Sequence, residues 1–193
     1  MTYISVVTLA AYGLALAFLA AIAVVDVRER RVPNVLSGGL VALWLLWRVV
    51  LGFAGRHMGL GFRTEFLAPA PTVTVPPGLE IVGASFAGGI IGAVILGGGL
   101  LVLTALYEAI THKESFGGGD IKLMAALGLF LGAERGLICL LAACLASVLY
   151  ALARAAWLRI GKRREEQGGS AAFKEAMPFA PFIAFGTLFA FVA

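Results

Sequence analysis

Charge is scarce in this sequence, and that scarcity excludes an ordinary soluble domain. Of the 193 residues, 13% are charged and 61% are hydrophobic. A soluble globular domain has about 25% charged residues, so the composition predicts an all-α polytopic membrane protein. The net charge of +4 is then best explained by basic loops at a membrane surface. Membrane lipid is an expected partner, and nucleic acid is not.

Cysteine and histidine are also rare, with two of each in the chain. Cys139 and Cys144 lie in one hydrophobic segment, do not form a CxxC pair, and are distant in sequence from His57 and His112. No metal or cofactor is therefore predicted. We interpret the two cysteines as small, buried, apolar residues.

Several motifs of other enzyme classes are missing. The chain has no HExxH, no GxSxG and no P-loop ending in Gly-Lys-Ser/Thr, which argues against zincins, common serine hydrolases and P-loop NTPases. No cleavable signal peptide is expected either. The first hydrophobic segment is long enough to span and ends in charged residues instead of a small-residue cleavage site.

What the chain does contain is a series of apolar segments, from which we predict about six transmembrane helices in a single domain, 1–193. The segments are residues 3–25, 35–53, 81–107, 121–132, 137–158 and 178–193. A tight turn at Glu134-Arg135 is expected between the fourth and fifth segments. Gly88 and Gly92, four residues apart in the third segment, predict close helix packing. Two loops complete the prediction, an extracytoplasmic Pro-rich loop at 55–80 and a charged cytoplasmic loop at 159–177.

The lysines and arginines predict the orientation of these segments, because such residues are concentrated in cytoplasmic loops. Three connections hold most of them: Arg28, Arg30, Arg31, Lys113, Arg159, Lys162, Arg163, Arg164 and Lys174. The opposite loops hold Arg56, Arg63 and Arg135. Both termini are therefore expected outside the cytoplasm.

Two aspartates fall on the predicted cytoplasmic side. Asp26 ends the first apolar segment, and Asp120 follows three glycines, Gly117, Gly118 and Gly119, at the head of the fourth. Carboxylates in membrane segments are rare unless they are functional or paired. Glycines beside a carboxyl leave room for a substrate backbone. These glycines are therefore candidate substrate-binding residues.

Paired aspartates suggest a specific chemistry. Two carboxyl groups in one site do not both ionise readily, so one keeps a proton while the other acts as a base. Such a pair can activate water against an amide and protonate the leaving nitrogen, as in aspartyl proteases. Asp120 stands at a helix N-terminus and Asp26 at a C-terminus, so the helix dipoles predict an ionised Asp120 and a protonated Asp26. Lys122 lies two residues from Asp120 and is not expected to face it; it either snorkels to head groups or orders the cytoplasmic rim.

Three motifs occur in order along the chain. Asp26 stands seven residues before Pro33, residues 117–120 fit GxGD, and residues 178–182 read Pro-Phe-Ala-Pro-Phe with Gly186 following. This arrangement resembles the type IV prepilin peptidases, which are GxGD membrane aspartyl proteases. Ala180 replaces the usual Gly of the family's closing motif. The resemblance covers almost the whole chain except residues 55–80.

The resemblance implies an enzyme of the bacterial inner membrane that cuts the basic leader from prepilins or pseudopilins at the cytoplasmic face. Asp26 and Asp120 would be the catalytic pair. The chain starts directly at the first helix, without the paired CxxC motifs of bifunctional members, so a protease without the N-terminal methyltransferase domain is expected. A basic leader needs local acids, for which Glu108 and Glu114 are candidates beside Glu29, Glu165 and Glu166.

Two alternatives remain at this point. Another GxGD protease, of the presenilin or signal peptide peptidase kind, usually pairs GxGD with Tyr-Asp, whereas Asp26 follows Val25. A small transporter could use Asp26 and Asp120 as a proton relay; proton-coupled uptake without leader cleavage would identify it. Oligomeric state is not predicted.

Overall fold

The computed structural model describes residues 3–57, 73–75, 79–81, 83–112, 117–161 and 178–192. Its helices are α1 (Tyr3–Glu29), α2 (Asn34–His57), α3 (Phe86–Thr111, with a π-helical turn at Val94–Gly98), α4 (Gly118–Gly161) and α5 (Ala180–Val192). A short antiparallel strand pair, β1 (Val73–Val75) and β2 (Leu79–Ile81), lies in the predicted loop 55–80 and includes Ile81, which was predicted to begin the third helical segment. The remainder of that loop beyond α2, and residues 162–177 of the predicted cytoplasmic loop, lie outside the described residues.

The apolar helices identify a helical membrane protein. Within the described ranges, four helices are long and apolar enough to cross a membrane: Val6–Glu29, Asn34–Phe53, Phe86–Thr111 and Gly118–Trp157. The prediction of about six spanning helices is therefore wrong. Residues 121–132 and 137–158 lie in one run, Gly118–Gly161, that is broken at Gly132. The part before the break and α5, which has 13 residues, are both shorter than the roughly 20 residues that a crossing needs.

Helix α4 is broken at Gly132, which divides it into a first arm, 118–131, and a second arm, 133–161. The φ of 75° and ψ of −173° at Gly132 are accessible essentially only to glycine. Helix resumes through Glu134 and Arg135, where a turn was predicted. The break thus precedes the expected position by two residues.

The two arms of α4 fold back on each other. In the first arm, Asp120 lies close enough to Asp26 for their charges to interact, and Asp26 accepts a hydrogen bond from Ala180 N–H. In the second arm, the Tyr150 ring lies 5.6 Å from that of Phe182, two residues beyond Ala180. A straight helix would separate Asp120 from Tyr150 by about 45 Å, at about 1.5 Å per residue. The break therefore returns the second arm to the end of the molecule at which the first begins.

Helices α3 and α4 pack at backbone distance through glycines. A Cβ atom added to Gly92 would lie 2.5 Å from a backbone oxygen of α4, and one added to Gly89 would lie 2.4 Å from another. Neither position has room for a side chain, as in closely packed membrane helices. The close packing predicted at Gly92 is confirmed, whereas Gly88 has a nearer neighbour at the start of α3. An added Cβ at Gly88 would meet the Ser85 hydroxyl of its own helix start at 2.9 Å.

A buried aromatic cluster around Tyr12 joins α1, α2, α4 and α5. The Tyr12 ring meets Trp47, Phe130 and Phe191 edge to face, with centroids 5.5, 5.9 and 5.4 Å away respectively. Tyr12 Oη donates a hydrogen bond to the Phe130 backbone oxygen at 3.2 Å. The break at Gly132 leaves this carbonyl available, because the regular helical bonding of the turn is interrupted there. The cluster holds four helices together about 21 Å along α1 from Asp26.

The two cysteines differ in environment. Cys139 is buried between α4 and α5, with its Sγ 3.4 Å from Thr187 Oγ1, which confirms its interpretation as a small buried residue. Cys144 is exposed, so that interpretation was wrong for it. Five residues further along the helix, its side chain points away from α5.

Candidate active site

Asp26 places a carboxyl group inside the bundle near the end of α1. The residue is only 5% exposed, and Asp26 and Asp120 are the only aspartates in the sequence. Arg30 caps the helix: its φ is 54°, and its N–H donates to the Asp26 backbone oxygen at 2.8 Å. The left-handed conformation at this position ends α1 and turns the chain toward α2.

Helix α5 begins directly against this carboxyl group. Ala180 N–H, in the first residue of α5, donates a hydrogen bond to Asp26 Oδ2 at 3.0 Å. The first N–H groups of a helix have no partner within the helix, and a carboxylate is a favourable acceptor for them. Ala180 is 1% exposed, so this bond is shielded from solvent.

Asp120 lies in the first turn of α4 and faces the same region. Its backbone N–H donates to Gly117 O at 2.9 Å, which starts the helix. Its Oδ1 atom is buried and accepts no hydrogen bond from any residue that the structure describes. Asp26 lies close enough to Asp120 for the two carboxyl groups to interact electrostatically. The structure thus brings the two aspartates together at one end of the bundle.

Two contacts bring the start of α4 to the connection between α1 and α2. A Cβ atom added to Gly119 would lie 2.8 Å from Val32 Cβ, so the bare Cα of this glycine permits the approach. Lys122 Nζ donates to Asn34 Oδ1 at 3.0 Å. Lys122 therefore orders the rim of the site, one of the two roles predicted for it.

The other two glycines have different surroundings. Gly117 and Gly118 are exposed. A Cβ atom at Gly117 would lie 3.3 Å from Asp120 Oδ2, whereas one at Gly118 would meet nothing within 4 Å. Gly117 thus keeps the space beside the Asp120 carboxyl open. A role for any of the three glycines in substrate binding remains a prediction.

The predicted acidic contacts are only partly visible. Glu108 is half-buried near the end of α3, and Glu114 lies outside the described residues, as do Glu165 and Glu166. Glu29 is exposed, with an oxygen 3.6 Å from Arg31 Nε. Within the described ranges, no three side chains of His, Cys, Asp or Glu form a cluster that could hold a metal.

Sequence reasoning missed the residues that position the aspartates. Val32 and Ala180 contribute an alkyl contact and a backbone N–H, and neither carries a chemical signature in sequence. Asn34 was noticed only as part of a helix start. The closing motif around Ala180 pointed to the right segment, but it did not show that this segment contacts Asp26.

Comparison with known proteins agrees with this geometry. The sequence model of the type IV leader peptidase family matches residues 13–152, a range that contains both aspartates and ends before α5. No match was found among curated proteins or among solved structures. With nearly three quarters of its length matched and an aspartate pair at one end of a helical bundle, the chain belongs to the type IV leader peptidase family.

Proposed function

We propose that this protein is a membrane aspartyl endopeptidase that removes the basic leader from prepilin or pseudopilin-like precursors. Membership of the family makes it a peptidase. The observation that carries the finer proposal is the meeting of buried Asp26 with Asp120 at the start of α4. Paired carboxyl groups are the chemical equipment of an aspartyl protease.

The reaction follows from the properties of such a pair. One aspartate is ionised and removes a proton from a water molecule, whose oxygen attacks the carbonyl carbon of the scissile amide. The other aspartate is protonated and gives its proton to the amide nitrogen as the C–N bond breaks. Exposed Gly117 leaves space beside Asp120 Oδ2, which is where an extended substrate backbone could approach.

The site is proposed to open to the cytoplasm in a multi-pass protein of the bacterial inner membrane, with both termini outside. The lysines and arginines of the connections support this orientation. A basic leader would then meet the protein before its hydrophobic helix. Gly117, Gly118 and Gly119 are proposed to face the scissile segment, and Glu108 and Glu114 the basic leader.

The first test is leader cleavage in membranes, followed by gel shift, for the wild type, Asp26→Asn and Asp120→Asn. We expect both variants to lose cleavage, because an amide can neither accept a proton from water as a base nor hold the shared proton. Glu134→Gln, an exposed carboxyl-to-amide change, is the matched control and should cleave like the wild type at equal protein level.

Two outcomes would contradict the proposal. Cleavage retained in either aspartate variant would rule out the two-carboxyl mechanism. No cleavage by the wild type, together with proton-coupled uptake into vesicles, would identify a transporter instead. The same assay checks Glu108: if Glu108→Gln leaves the dependence of cleavage on leader lysines unchanged, Glu108 does not bind the leader.

A further inference from the structure

Helix α5 lies beyond the residues that the family model matches, yet it makes a direct contact with the aspartate pair. The contact is the 3.0 Å hydrogen bond from Ala180 N–H to Asp26 Oδ2. It supplies Asp26 with a donor at a helix N-terminus, where negative charge is favoured. The opposing Asp120 Oδ1 is buried and has no donor among the described residues.

We propose that Ala180 is a positioning residue whose backbone N–H holds the negative charge on Asp26, so that Asp120 carries the shared proton. This inference rests on the proposed function for its catalytic meaning. It reverses the assignment made from the dipoles of α1 and α4 alone. Those two dipoles favour charge on Asp120, but the start of α5 adds a direct donor to Asp26, and a hydrogen bond to an ion is stronger than an end-of-helix dipole effect.

The position of the Ala180 N–H is set by packing further along α5. A Cβ atom at Gly186 would lie 2.3 Å from the backbone oxygen of Cys139 in α4. One residue on, Thr187 Oγ1 lies 3.4 Å from Cys139 Sγ. Because both contacts are between close neighbours in a packed interface, they fix the register of α5 and hold its first turn against Asp26.

Asp26 and Asp120 together account for every proton that is transferred during cleavage of the amide. Asp26 takes a proton from water as the new C–O bond forms, and Asp120 gives its proton to the amide nitrogen as the C–N bond breaks. Transfer of the proton from Asp26 to Asp120 then restores the starting state. The titratable and charged groups on the segments that meet here are Asp120 and Lys122 of the first arm of α4, Tyr150 and Arg154 of its second arm, and Arg28, Glu29, Arg30 and Arg31 beside Asp26; described α5 has none.

Ala180→Pro removes the donor to Asp26, although its ring adds volume at a buried position. Proline at the first position of a helix is well tolerated and lacks an N–H, so it removes the donor while α5 can still form. We expect kcat for leader cleavage to fall about ten- to hundredfold with KM unchanged, since buried Ala180 is not placed to touch the leader. Ala180→Gly retains the N–H and should cleave at least about ten times faster than Ala180→Pro.

A second measurement does not depend on activity. Infrared titration of Asp120→Asn reports Asp26 alone, and that of Asp26→Asn reports Asp120 alone. The proposal requires that Asp26 ionise at the lower pH of the two. Adding Ala180→Pro should move the midpoint for Asp26 upward by about one to two pH units and leave that for Asp120 in place.

The outcomes separate this inference from the proposed function. If the wild type cleaves no leader, the proposed function fails, while the infrared order still decides where the charge resides. The inference is overturned if Asp120 alone ionises at the lower pH, or if folded Ala180→Pro/Asp120→Asn titrates like Asp120→Asn. If the proline variants do not accumulate in the membrane, the inference is decided by which aspartate ionises at the lower pH in the single variants Asp120→Asn and Asp26→Asn.

Discussion

At the scale of single residues, Gly119 shows how a missing side chain places a functional one. The glycine precedes Asp120, and its Cα lies against Val32 so closely that a Cβ atom would come within 2.8 Å of Val32 Cβ. Val32 Cβ is a branched carbon bonded directly to the backbone, so no side-chain rotation can move it away from an added atom. The approach of α4 to the chain after α1, and with it the meeting of the aspartates, therefore depends on glycine at this position.

Gly119→Ala is expected to lower the free energy of unfolding by about 1–3 kcal/mol, the usual cost of overpacking. It should also reduce leader cleavage, because Asp120 moves with the first turn of α4. The measurement is unfolding in detergent micelles alongside the cleavage assay.

Gly118→Ala is the control for this change, since a Cβ atom there meets nothing within 4 Å. Its stability should equal or slightly exceed that of the wild type, because alanine favours a helix over glycine. If the two variants were equally stable, close approach to Val32 would not be the reason for Gly119.

At the scale of elements, the decisive feature is the reversal of α4 at Gly132. The reversal returns the second arm to the end where the first began, so Tyr150 meets Phe182 near the aspartates. It also exposes the Phe130 carbonyl that Tyr12 uses. The backbone conformation at Gly132 thus determines contacts at both ends of the bundle, that of Tyr150 near the aspartates and that of the Phe130 carbonyl in the aromatic cluster.

Gly132→Ala is expected to cost about 1–3 kcal/mol of unfolding free energy, because its φ of 75° and ψ of −173° are unfavourable for any residue with a Cβ. Unfolding in detergent micelles checks this. Gly99→Ala is the control, with a helical φ of −60° and no atom within 4 Å of an added Cβ. Equal stability of the two variants would show that the backbone at 132 relaxes without cost.

The location of this reversal illustrates where sequence patterns stop being informative. Glu134-Arg135 is a polar pair inside an apolar run, and polarity suggested a turn. Helix nevertheless continues through both residues, because polar side chains do not interrupt backbone hydrogen bonding. The chain has 25 glycines, and nothing in composition distinguishes Gly132, which needs a positive φ, from Gly92, which needs close packing.

At the scale of the whole molecule, different kinds of contact hold the helices together at the two ends of the bundle. At the end with the aspartates, polar contacts run from Ala180 to Asp26 and from Lys122 to Asn34, beside the close approach of Gly119 to Val32. The other end is held by the aromatic cluster, in which Tyr12 touches residues of three further helices. Polar contacts thus join the helices at the end with the aspartates, and ring packing joins them at the remote end.

Tyr12→Phe is expected to keep the ring contacts and lose the hydrogen bond to Phe130 O. The free energy of unfolding should fall by about 0.5–1.5 kcal/mol, with leader cleavage unchanged well below the unfolding temperature. Thermal unfolding in detergent, combined with the cleavage assay, measures both.

Tyr150→Phe removes a hydroxyl from an exposed tyrosine and should leave stability unchanged. If Tyr12→Phe were equally harmless, the aromatic rings alone would hold the cluster.

The meeting of Asp26 and Asp120 could be anticipated because each signal was local: an acid at a segment end, glycines beside an acid, and basic residues in the same connections. The contacts that orient the two aspartates could not be anticipated from sequence, because Val32 acts through an alkyl group and Ala180 through a backbone amide. Those depend on how helices distant in sequence pack. The predicted number of spanning helices was wrong for a different reason, since the part of α4 before Gly132 and α5 are both too short to cross a membrane.

The bond from Ala180 to Asp26 has a consequence for how this protein can vary. Every amino acid except proline supplies the same N–H, so the contact places no chemical demand on residue 180 beyond a small volume, set by its 1% exposure. Substitutions at position 180 would thus be limited to small residues other than proline, and this pattern would not indicate a contact with Asp26. An active-site interaction of this kind leaves no chemical trace in the sequence and becomes visible only in three dimensions.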